Sequence, residues 1–121
     1  MNRVSSKILE IRNGIIDSLH RQIYRLGSFA AAGPIPEEEF IKTHTMIEVL
    51  KGTHNILKKE SIPRRKLDQE IKALQDFDNS ITNFRSLWRN AEYETQFLND
   101  LIADYGKLKK TLKNINEILE S

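Results

Sequence analysis

The sequence predicts an all-α fold: a bundle of three to four helices with a long, heptad-patterned helix at its C-terminal end. Three observations carry this. Apolar residues recur at helical spacing along nearly the whole chain. Only five Gly and three Pro interrupt 121 residues, where an all-β chain would need many more turn residues. Each Pro also stands where one helical stretch gives way to the next. With 39% apolar and 30% charged residues, the chain suits one heavily solvated domain spanning 1–121.

The first helix is predicted over 7–32. Ser5 or Ser6 supplies a capping oxygen, and Ile8, Ile11, Ile15, Leu19, Ile23 and Leu26 form a stripe of period near 3.6. Gly33 is suited to a left-handed cap, and Pro34 cannot continue a helix. A second helix over 36–59 opens on Pro36, with Glu37, Glu38 and Glu39 in the first turn facing the positive end of the helix dipole. Its buried side is predicted to hold Phe40, Ile47, Leu50 and Leu57, with His44 and His54 on or near it.

From Pro63 the apolar spacing does not stop. Leu67, Ile71, Leu74, Phe77, Ile81 and Phe84 lead into two heptad series, Phe84-Ala91-Leu98-Tyr105-Leu112-Leu119 and Leu87-Glu94-Leu101-Leu108-Ile115. The cluster Asp76-Phe77-Asp78-Asn79-Ser80 favours turns and caps, so a break near 78–80 is predicted, giving helices at 63–78 and 80–119. At 1.5 Å per residue the last would run about 60 Å, against roughly 39 and 36 Å for the first two, and about 20 Å of its seam would overhang. Apolar residues flanking the seam (Trp88, Phe97, Ile102, Ile118) widen it beyond a two-stranded coiled coil and suit a multi-helix bundle. In the alternative, the last helix folds back near Gly106 and packs within one chain.

Several functions are excluded or left unsupported. No cysteine is present, which removes disulfides, thiol nucleophiles and thiolate metal sites. No run of 18 apolar residues exists to span a membrane, and the N-terminal MNRVSSKILEIRNG lacks the apolar stretch of a signal peptide. The expected location is therefore the cytoplasm, or a virion interior if the chain is phage-encoded. Nine Lys/Arg stand against seven Asp/Glu in residues 1–60 and ten against ten in 61–121, so neither half is a polyelectrolyte. His44 and Glu48 lie four apart, but no HExxH or Glu-x-x-His pair accompanies them, and no metal or other cofactor is expected. Glycine loops for phosphate and nucleophile motifs are missing. The first helix lacks the substrate-gripping Arg, Lys and Glu/Gln set of chorismate mutases, and Arg12 and His20 stand too far apart for a HEPN-type ribonuclease.

One segment breaks a local rule. KKESIPRRK at 58–66 carries five positive charges and one negative around a tight corner. Lys58 and Lys59 suit a helix C-terminus, but Arg64, Arg65 and Lys66 crowd the positive end of the next helix. Such a corner suits phosphate, carboxylate or nucleic acid, unless Asp68 and Glu70 neutralise it one turn on. The lysines at 107, 109, 110 and 113 suit a solvated outer face near a helix C-terminus.

The expected function is that of a non-catalytic assembly or adaptor protein, partnered by copies of itself or another helical protein. Its expected interface is Leu98, Leu101, Tyr105, Leu108, Leu112 and Ile115. On this basis, replacing Leu101 and Leu108 with Asp dissociates an oligomer and leaves a helical monomer. The alternative is a small nucleic-acid-binding or packaging protein using the corner at 58–66.

Overall fold

The computed structural model describes residues 3–90 and 95–121. Four helices follow in order: α1 (Arg3–Ala32), α2 (Glu37–Leu57), α3 (Arg64–Arg89) and α4 (Thr95–Glu120). Each packs on the helices before and after it, and α4 closes the ring on α1, while among the described residues the backbones approach closely across neither diagonal. Ile8, Leu57, Ile62, Leu67, Ile115 and Leu119 meet at one end, so the helices run alternately up and down. No described residue lies in a strand, and no helix is long and apolar enough to cross a membrane.

Local chemistry explains most of the boundaries. α1 begins at Arg3, so Ser5 and Ser6 lie inside its first turn and neither is the cap the sequence suggests. At its far end the Gly33 amide donates to the Phe29 carbonyl (2.9 Å) and the chain leaves at φ 157°. That lies outside the left-handed well anticipated for it, but is equally reserved to glycine. Pro36 serves as the extended N-cap of α2 and Pro63 as that of α3, each accepting a backbone N–H from the first turn.

The break predicted at 78–80 is absent, and α3 runs through it to Arg89. Asp and Ser unsettle a helix by bonding to their own backbone, but here they bond elsewhere. Asp78 accepts from Lys51 of α2 (2.8 Å), Asp76 from Lys72 one turn back (3.3 Å), and Ser80 donates to Asp104 of α4. Phe77 and Ile81, between them, are buried. α3 ends instead at Arg89, with Asn90 as its C-cap.

This corrects the long C-terminal helix. α3 and α4 have 26 residues each, or about 39 Å, against about 45 Å for α1, so no seam overhangs. α4 stays helical through Gly106.

The main core stacks Ile16, Leu19, Ile23 and Leu26 of α1 on Phe40, Ile47 and Leu50 of α2, Leu74, Phe77, Ile81 and Phe84 of α3, and Leu101, Tyr105, Leu108 and Leu112 of α4. Tyr105 adds a polar tie, its hydroxyl donating to the Ile16 carbonyl (2.8 Å). Burial, and secondarily the charge of Asp17, push this hydroxyl up to about 12. A phenol whose folded pKa is raised favours the neutral form, so its contribution is intact below pH 10 and fades as pH rises from 10 through about 12. Tyr105→Phe is expected to cost about 1 kcal/mol at pH 7 and to flatten that alkaline loss, as read from urea melts across the range.

Candidate functional site

The densest group of ionisable side chains joins all four helices at the level of Arg12. Its guanidinium donates through Nη1 and Nη2 to the two carboxylate oxygens of Glu70 on α3 (3.0 and 2.5 Å), through Nη1 to Thr53 Oγ1 on α2 (3.2 Å), and through Nε to Asn116 Oδ1 on α4 (2.7 Å). Asn116 Nδ2 passes the chain on to Asn13 Oδ1 of α1 (2.9 Å). His54 Nδ1 stands 2.8 Å from Glu70 Oε1, and since a carboxylate only accepts, Nδ1 carries the proton. His54 Nε2 is buried without a hydrogen-bond partner among the described residues.

Arg12 and Glu70 are 0% exposed and His54 1%. Burial pushes the Glu70 carboxyl up, but the hydrogen bond from His54 and the hydrogen bonds and charge of Arg12 outweigh it and hold the group below the usual range. A carboxylate, an imidazole and a guanidinium in mutual contact are the makings of an acid–base centre. Buried as it is here, the group links α1, α2, α3 and α4 to one another through its hydrogen bonds.

The sequence points to none of Arg12, Thr53, Glu70 and Asn116 as members of a buried network. Arg12 enters there only against His20 and Glu70 only as a counter-charge to the basic corner, although each of the four sits in phase with its stripe. Arg12 stands four residues from both Ile8 and Ile16, Glu70 three from Leu67 and four from Leu74, and Asn116 four from Leu112 and three from Leu119. Thr53 likewise stands three from Leu50 and four from Leu57, so polar residues at core phase on all four helices are the signal. His54 was placed near the buried side and is there; His44 faces solvent, its two ring nitrogens each 3.8 Å from a different carboxylate, Glu48 and Asp78. Among the described residues no group of three or more His, Cys, Asp or Glu could hold a metal ion. A second sealed carboxylate, Glu39, bonds Arg25 and lies 3.4 Å from Lys42; burial raises it, and Arg25 foremost brings it below its usual range.

The expected interface residues lie mostly in the chain's own core. Leu101, Leu108, Leu112 and Ile115 are 0% exposed and Tyr105 5%, covered by α1, α2 and α3. Leu98 alone keeps a rim position: with Ile23, Tyr24, Gly27, Ala31 and Ile102 it lines an apolar groove of about 540 Å³ between α1 and α4. The helices approach closely at Gly27, where a Cβ would meet the Leu98 side chain at 3.4 Å, an ordinary van der Waals contact.

At the basic corner Lys58, Lys59, Arg64 and Arg65 are exposed and Lys66 half-buried, and none of the five has an ion-pair partner among the described residues. The neutralisation anticipated from Glu70 fails because that side chain turns inward to Arg12. Lys107 and Lys110 share the α3–α4 groove with Asp76 and Asp104, so acids interleave with them. Of the residues whose types could offer nucleic acid a stacking surface (Trp88, Arg89 and Tyr93), Trp88 stacks on Phe84 at 6.4 Å and Arg89 pairs with Glu37 (2.6 Å), which uses both inside the fold; Tyr93 lies outside the described residues.

The chain matches no protein-family model, and neither a curated protein nor a solved structure is significantly similar to it.

Proposed function

We propose that this is a non-catalytic helical protein that works by helix–helix contact with protein partners, copies of itself included. The observation supporting this is apolar surface left outside a core that is already complete. Ile41, Val49 and Ile56 of α2, with Tyr24 and Ile102 beside the α1–α4 groove, are exposed while all four helices have filled their inner faces. The heptad residues that first suggested assembly are engaged within the chain, so the outward faces take over that role. The sealed position of the Arg12–Glu70–His54 cluster favours interaction over catalysis.

The five cations at 58–66, without an ion-pair partner among the described residues, favour a second role, contact with nucleic acid. One measurement separates the two: light-scattering mass on a sizing column over a range of chain concentrations, at low and high salt, with and without a short duplex. The expected result is a mass that rises with concentration, changes little with salt and ignores the duplex. A duplex complex that forms at low salt and vanishes at high salt would favour the nucleic-acid role instead.

A further inference from the structure

α2 is the least one-sided of the four helices, with three large apolar residues exposed opposite its core face. Phe40, Ile47, Leu50 and Leu57 face the core, while Ile41, Thr45, Val49, Gly52 and Ile56 follow one another at steps of four, four, three and four along the opposite face, all exposed. Thr45 Oγ1 already donates to the Ile41 carbonyl (2.9 Å), so covering it strands no donor. Nothing lies within 4 Å of the Cβ position of Gly52, which leaves room for another backbone to come close. Glu48, the charge at the margin of this stripe, is drawn toward Lys51 (3.5 Å), which itself bonds Asp78 of α3.

The ends of the stripe are charged and opposite. Glu38 stands at its start and Lys59 just past its end, both exposed. Glu37 pairs with Arg85 and Arg89, and Glu39 with Arg25 and Lys42, but Glu38 and Lys59 have no ion-pair partner among the described residues.

Building on the helix–helix function above, we propose that a second copy of this chain covers the stripe, α2 lying antiparallel on α2 of the other copy about a two-fold axis beside Val49. The stripe is self-complementary under that rotation. Ile41 meets Ile56 of the second copy, Thr45 meets Gly52, and Glu38 meets Lys59, every pair centred on the point between Glu48 and Val49. A parallel pairing would set Glu38 on Glu38 and Lys59 on Lys59, and a foreign partner of one charge sign would suit only one end. From Glu38 to Lys59 the stripe runs about 32 Å. One helix face of that length covers less than the roughly 800 Å² per partner of a standard interface, so the dimer is concentration-dependent.

The test uses charge reversals at exposed positions, which leave the core untouched. Glu38→Lys or Lys59→Glu alone is expected to weaken dimerisation about tenfold, because the two-fold axis repeats each contact, and the double reversal to restore it. In this cysteine-free chain Val49→Cys is expected to form a disulfide dimer under mild oxidation, and Ile102→Cys to stay monomeric. A wild-type dimer indifferent to both charge reversals, or cross-linked through Ile102→Cys alone, overturns the α2 pairing and leaves self-association standing. A chain monomeric at millimolar concentration overturns both.

Discussion

Arg12→Met is expected to destabilise the fold by about 3–5 kcal/mol, a large part of the roughly 6–18 kcal/mol available to a domain of this length. Methionine fills much of the volume, so the loss is mainly electrostatic. Glu70 would remain 0% exposed with only His54 beside it, and Asn116 Oδ1 and Thr53 Oγ1 would lose their shared donor. A buried carboxylate without its guanidinium either protonates or drags the helix ends apart to reach water. Arg12→Met with Glu70→Leu removes both charges, and the pair is expected to recover most of the loss, since a buried ion pair replaced by apolar residues of similar size costs little. Urea melts of the two singles and the double give the coupling directly. A single variant within 1 kcal/mol of wild type would mean the network is open to water.

Acid supplies an independent check. Glu70 is held below its usual value of 4.5, so its contribution is fully present above that pH and is lost as pH falls through the lower folded value. Wild-type stability should drop on acidification below about 4.5, and Glu70→Gln should show a shallower drop from a lower starting point.

The same network marks how much of the molecule is legible in its sequence. The stripe of α1 was traced through Ile11 and Ile15 because period and hydrophobicity both allowed it, yet Ile11 is 45% exposed and the buried path runs Ile8, Arg12, Ile16, Leu19. Two candidate stripes one residue apart differ in phase by about 100°, and an arginine in one of them argues against it unless a carboxylate waits on another helix. That carboxylate lies 58 residues away in sequence, beyond the range of any periodicity. Phe40, Ile47, Leu50 and Leu57 raised no such conflict and all four are buried. The end of α3 at Arg89 is hidden for a related reason. The heptad series reads across it because α3 and α4 present the same kind of stripe to the same core, and Glu94 at a seam position was its one local sign. At 76–80 local turn chemistry pointed to a break that partners on α2 and α4 remove. Side chains that find partners across the bundle leave no trace in a local window.

The sharpest consequence concerns Leu101 and Leu108. On the sequence alone, replacing both with Asp strips an intermolecular seam and leaves a helical monomer. In the folded chain both are 0% exposed, packed among Leu19, Phe77, Tyr105 and Leu112. Each replacement forfeits about 2–5 kcal/mol of apolar burial and packing, and each carboxylate must then be buried charged, protonated or released to water by unfolding. The two packing losses and the two carboxylates together are comparable to the whole stability of a domain of this size. The double variant is expected to lose its cooperative melting transition and most of its helical circular dichroism at 25 °C. Ile102→Asp, one residue along on the same helix but 48% exposed, is expected to melt within about 0.5 kcal/mol of wild type. The contrast between neighbours on α4 separates a core position from an interface position without reference to any partner. A folded, monomeric Leu101→Asp/Leu108→Asp variant would place the seam on the outside and return it to the interface, whereas collapse of that variant beside an intact Ile102→Asp leaves the outer face of α2 and the α1–α4 groove as the surfaces on which association must be sought.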